Sequence, residues 1–149
     1  PALRGLVPRH PLLVVDAANV VGARPDGWWK DRPAAAGRLR DGLVSLRDAG
    51  LDASALGLGA TRWFADIAMV VEGDARALDE GAASVQLVSA ERDGDGEIVA
   101  EVERQLDAGR DAEDIRVVTS DRELAERVGA LGATVHGAGW LWEQLDANG

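Results

Sequence analysis

Residues 12–17 read LLVVDA, and this stretch decides the fold. Four apolar residues follow one another without the alternation of a half-exposed strand, so both faces of the segment are expected to be covered, as in the centre of a parallel sheet. Three further segments share the form: residues 67–71 (IAMVV), 85–89 (VQLVS) and 115–119 (IRVVT), with a weaker fifth at 133–136 (ATVH). Helical periodicity fills the spaces between them. Leu39, Leu43, Val44 and Leu46 share a face over 35–49; Ile98, Val102 and Leu106 do so over 97–108; Leu124, Ala125 and Val128 do so over 122–131. Gly50, Gly109 and Gly132 stand where these helices should end. Alternation of strand and helix predicts an α/β, three-layer sandwich: a mostly parallel, Rossmann-like sheet of about five strands with helices on both faces.

The 149 residues, without repeats, linker or low-complexity tract, suit a single domain spanning 1–149. Cysteine is absent, which removes disulfide scaffolds, thiolate zinc sites and cysteine nucleophiles. No apolar run approaches the roughly 20 residues of a membrane span, and residues 1–10 carry no apolar signal core, so a soluble, cytoplasmic protein with no membrane partner is expected. With 26 acids against 16 bases the net charge is −10, the wrong sign for nonspecific attraction to nucleic acid. Any such partner must be gripped locally. Lys30 is the single lysine, which leaves lysine-based catalysis one candidate.

In open α/β sheets ligands bind outside the carboxyl ends of the strands. Here those ends are repeatedly acidic. The first strand ends in Asp16 with Asn19 close behind; the second in Glu72 and Asp74; the third runs into Asp93, Asp95 and Glu97; the fourth into Thr119, Ser120, Asp121 and Glu123. Carboxylates converging from several strands repel one another unless a positive charge sits among them, and hard divalent cations take such oxygen ligands. Bland readings stand beside this one. Asp121 suits a helix N-cap, Ser120 and Glu123 have capping-box spacing, and Asp93, Asp95 and Glu97 suit a solvated turn. Asp16 gains nothing obvious from lying at the tip of the most apolar strand.

Other chemistries fail on spacing. Residues 93–97 start like a calcium loop, but Ile98 stands where the turn needs Gly and Arg104 where a bidentate Glu should be. Gly57, Gly59 and Arg62 follow no apolar strand, and neither a P-loop nor a G-x-S-x-G elbow occurs. His10 and His136 are expected to be structural or on the surface. Residues 21–34 read as a long aromatic, charged loop directly after the first strand, where Trp28 and Trp29 beside Arg24, Lys30 and Arg32 would stack bases and contact phosphates, or else form a lid on the sheet edge. Trp63, Phe64, Trp140 and Trp142 read as core.

The segments VVDAANVVG (14–22), GDGEIV (94–99) and VVTSDRELAERVGALGA (117–133) resemble the NYN branch of the PIN-like nuclease superfamily, over nearly the whole chain. The resemblance implies a Rossmann-like, PIN-like fold and a metal-dependent ribonuclease that hydrolyses RNA phosphodiester bonds with Mg2+ or Mn2+. Carried over by motif, Asp16, Asp95 and Asp121 would hold metal with Asn19 in support, and Asp93, Glu97 and Glu123 are further candidate acids. Arg24, Trp28, Trp29, Arg32, Thr119, Ser120 and Arg122 would contact single-stranded or structured RNA. A homodimer is compatible with this reading. Two alternatives stand: a non-catalytic RNA- or nucleotide-binding module of the same fold, and a metal-dependent phosphohydrolase of small nucleotides.

Overall fold

The computed structural model describes residues 11–52, 62–72, 85–90 and 93–148. His10, Gly57, Gly59 and Asp74 lie outside them. The centre is β1 (Leu12–Asp16), buried along its whole length and paired in parallel with strands on both sides. With β4 (Asp66–Val71), β5 (Val85–Ser89), β6 (Ile115–Val118) and β7 (Thr134–His136) it forms a five-stranded parallel sheet in the order β5-β4-β1-β6-β7. The five expected strands are all present.

Alternate residues of each strand face opposite layers. Leu13, Val15, Met69, Val71 and Val118 pack on one side against α1 (Ala17–Gly22), α2 (Arg32–Ala49) and α5 (Ala138–Asn148), while Leu12, Val14, Ala68, Val70 and Val117 pack on the other against α3 (Gly94–Asp107) and α4 (Arg122–Ala130). This is the expected three-layer sandwich. Gly50 ends α2 with φ +81°, a conformation that side chains disfavour.

Four expectations need correction. The loop after β1 is shorter than 21–34, because α1 follows the strand directly and α2 begins at Arg32, where Asp31 caps it and Pro33 fits the first turn. Within the remaining loop, Trp28–Lys30 forms one turn of 3-10 helix. The third helix starts at Gly94, so Asp95 and Glu97 lie in its first turn and Asp93 is its N-cap. Phe64 is 60% exposed rather than core, whereas Trp63, Trp140 and Trp142 do pack on the core. A short antiparallel ribbon of β2 (Leu51–Asp52) and β3 (Arg62–Trp63) was not expected, since two residues per strand leave no pattern to read.

Strand order fixes where a ligand would sit. From β1 the chain steps outward to β4 and β5, then returns to the far side of β1 for β6 and β7. The switch point therefore lies between β1 and β6, at their carboxyl ends.

Candidate functional site

Asp16 and Thr119 occupy that switch point. Asp16 is 6% exposed; its Oδ1 accepts the Asn19 amide at 3.3 Å, capping α1, and its Oδ2 accepts the Thr119 hydroxyl at 3.0 Å. Asp16 thus gains two partners from its position at the tip, contrary to the expectation that it gains none. Thr119 is 2% exposed, and its Oγ1 also accepts the Asp121 amide at 3.1 Å. One hydroxyl therefore ties the end of β1 to the start of α4. Asn19 makes a second tie, its Oδ1 accepting the Ser120 amide at 2.8 Å, and Ser120 Oγ accepts the Ala138 amide at 2.9 Å, fastening α5 to the same corner. Thr119, Ser120 and Asn19 all spend hydrogen bonds on holding the strand tips together.

Burial pushes the Asp16 carboxyl up to about 6; the Thr119 and Asn19 hydrogen bonds oppose the shift, and the charges of Asp95 and Glu72 add to it. Asp95 is also raised, first by burial, then by Asp121, Asp93 and Glu72, with Arg127 opposing. Acids from the ends of β1, β4 and β6 and from the start of α3 therefore share one electrostatic field. Glu72 is the member that the motif reading left out, although it was visible as the acid ending its strand. Its Oε2 accepts the Gly94 amide, and a Cβ on Gly94 would stand 2.8 Å from that oxygen. Glycine lets a β4 carboxylate touch the first turn of α3.

The remaining acids separate by their partners. Asp93 Oδ1 caps α3 through the Gly96 amide at 2.6 Å, and Asp121 Oδ1 caps α4 through the Leu124 amide at 3.0 Å. The N-cap of α4 is Asp121 and the third helical residue is Leu124, so the capping box read from Ser120 and Glu123 does not form; Glu123 is exposed in the first turn. Glu97 turns away along α3 to Arg104 at 2.8 Å, and Arg104 also binds the buried Glu101 at 2.7 Å. Arg24 lies over the Trp142 ring at 3.9 Å and pairs with Asp146 at 2.6 Å, so it faces α5. Trp28 and Trp29 stand on the loop leading into α2, Arg32 is the exposed first residue of that helix, and Arg122 is exposed on the first turn of α4. His136 stacks on Trp140 at 3.9 Å and bonds Arg116 at 2.9 Å; burial and the Arg116 charge push it down to about 4.

The donor set suits a hard divalent cation: carboxylate oxygens, like charges, and Arg127 as the one opposing charge felt at Asp95 among the described residues. Among those residues no three Asp, Glu or His side chains close tightly enough to hold an ion as they stand. The acids meet through their fields.

Two crystal structures of Rae1 (YacP) from Bacillus subtilis share this fold. One matches 92% of this chain and 74% of that chain at 19% identity with a TM-score of 0.63; the other, a Trp-to-Leu variant, matches 93% and 76% at 18% identity with a TM-score of 0.62. Likeness at that identity is one of fold alone: a five-stranded parallel sheet with helices on both faces. No protein-family model matches the sequence, and neither does any curated protein. No described helix is long and apolar enough to cross a membrane.

Proposed function

We propose that this chain is a divalent-metal-dependent ribonuclease that hydrolyses RNA phosphodiester bonds. The observation that carries the reading is Asp16: a carboxylate at the switch point raised to about 6 by burial, with the charges of Asp95 and Glu72 contributing to that rise. Keeping such a group where burial and two like charges disfavour its ionisation is costly unless a cation belongs among them.

Asp16, Asp95 and Asp121, with Glu72 added, would hold Mg2+ or Mn2+. Such an ion supplies a water of lowered pKa and neutralises charge on a phosphate. Of the candidates in the middle motif, Asp95 is preferred, since burial and the charges of Asp121, Asp93 and Glu72 raise it, whereas Glu97 is turned to Arg104. Asn19 and Thr119 act by holding the tips of β1 and β6 in register, and Arg32 and Arg122 offer exposed cations to the RNA backbone. His136 has its Nε2 engaged by Arg116 and its ring stacked on Trp140, and it takes no part in the proposed reaction.

The test is Mn2+ titration by calorimetry into the wild type and Asp16→Asn, followed by incubation with a labelled single-stranded RNA. Metal binding and cleavage by the wild type alone support the proposal. Equal behaviour of the two proteins, or cleavage with metal chelated, overturns it. Turnover of mononucleotides with RNA left intact would instead favour a small-nucleotide phosphohydrolase.

A further inference from the structure

We propose that Trp29 is the stacking platform for one unpaired base of the RNA, held out from the fold by Trp28. The inference rests on the ribonuclease reading for its ligand and on the loop for its geometry. Trp29 is 57% exposed, one of two large hydrophobic side chains that stand in solvent among the described residues. Trp28 is half-buried and meets it edge to face, with centroids 6.0 Å apart and planes at 88°. In either sense of that contact Trp28 props the Trp29 ring and leaves at least one of its faces uncovered.

The loop is anchored at both ends. Arg24 is clamped between Trp142 and Asp146, the Trp142 indole donates to the Val20 carbonyl at 2.9 Å, and Asp31 Oδ1 accepts the Ala34 amide at 3.1 Å. Arg32 lies 5.5 Å from the Trp28 ring centroid. Because α2 lies in the crossover between the parallel strands β1 and β4, it runs back along the sheet, and its start and the loop before it belong to the edge that carries Asp16. A base stacked there would lie on the same edge as the acids.

Local charge decides how the ligand is held. Lys30 and Arg32 are matched by Asp26 and Asp31, and Arg24 is already paired, so the loop offers cations for individual phosphates without a net positive field. In a protein of net charge −10 the grip must come from the π-face. Duplex bases already have both faces covered, so the platform selects unpaired RNA.

The experiment uses the full chain in chelator, so that nothing is cut, with a fluorescein-labelled oligoadenylate of about eight nucleotides read by anisotropy. Trp29→Ala should weaken binding roughly 5- to 100-fold, and Trp29→Phe should keep most of the affinity. An otherwise identical oligomer of abasic riboses should bind wild type and Trp29→Ala alike, and wild-type affinity should fall only shallowly with salt. Failure of the wild type to bind, equal binding of the octamer by wild type and Trp29→Ala, or an undiminished difference with the abasic oligomer overturns the proposal. In the latter two cases the exposed ring is better sought as a protein contact. Absence of cleavage on adding Mn2+ would defeat the ribonuclease reading, while metal-free binding would still decide this one.

Discussion

The hydroxyl of Thr119 donates to Asp16 Oδ2 at 3.0 Å while accepting the Asp121 amide at 3.1 Å, so one buried side chain joins β1, β6 and the cap of α4 at the switch point. Valine has nearly the shape of threonine but neither donates nor accepts. Thr119→Val should therefore leave the buried Asp16 Oδ2 and the partly buried Asp121 amide without this partner and cost about 1–3 kcal/mol. It should also raise the Asp16 pKa further, because the hydrogen bond that stabilises the carboxylate is gone. Urea denaturation and the pH midpoint of Mn2+ binding check the two effects, and Thr119→Ser should restore both. An unchanged midpoint would show that Thr119 does not govern Asp16.

Asp16 itself is unfavourable to the fold when ionised without a metal. Its folded pKa of about 6 lies above the ordinary 3.8, so the protein binds this proton more tightly when folded. The contribution to stability is full below pH 3.8 and is lost as pH rises through 6; the difference is about 3 kcal/mol. Asp16→Asn removes that penalty at the expense of one hydrogen bond, so at pH 7.5 in chelator it should be about 1–2 kcal/mol more stable than wild type. Mn2+ should reverse the order by raising the melting temperature of wild type alone. A less stable metal-free Asp16→Asn would mean that the carboxylate is needed as a cap more than it is disfavoured by burial.

Strands were legible because both of their faces are covered: LLVVD and IAMVV need no partner to be recognised as buried. The helix α1 was hidden, since AANVVG is short and two of its six residues are β-branched, so the Asp16 cap, with Asn19 three residues on, was its one signal. The acidic edge was legible as composition but not as geometry. Glu97, Glu101 and Arg104 at spacings of four and three lie on one helical face, a clue that Glu97 is engaged along α3. Nothing in the sequence tells that Arg24 turns to Asp146, because that contact spans 122 residues.

His136 titrates in the opposite sense to Asp16. Its folded pKa of about 4 lies below the ordinary 6.5, so its contribution is complete above pH 6.5 and is lost as pH falls toward 4. The two groups therefore oppose each other over nearly the same interval. Between pH 6.5 and 4, His136→Gln should lose less stability on acidification than wild type, and Asp16→Asn should lose more. Paired urea titrations at several pH values measure this. Parallel pH profiles for all three proteins would contradict both assignments.

Gly94 offers a test of Glu72 that leaves every carboxylate in place. A Cβ there would stand 2.8 Å from Glu72 Oε2, so Gly94→Ala must push that side chain off the start of α3. Gly129, inside α4 and exposed, has nothing within 4 Å of its own Cβ position. Gly129→Ala is expected to stabilise the fold by about 1 kcal/mol through helix propensity alone, with Mn2+ affinity unchanged. Gly94→Ala, which must displace the Glu72 carboxylate, should weaken Mn2+ binding by roughly 10-fold if Glu72 acts on the ion or on its ligands. Glu72→Gln removes the charge while keeping an acceptor for the Gly94 amide. If it binds Mn2+ as wild type does, Glu72 serves only to hold α3, and the metal site is confined to the three aspartates.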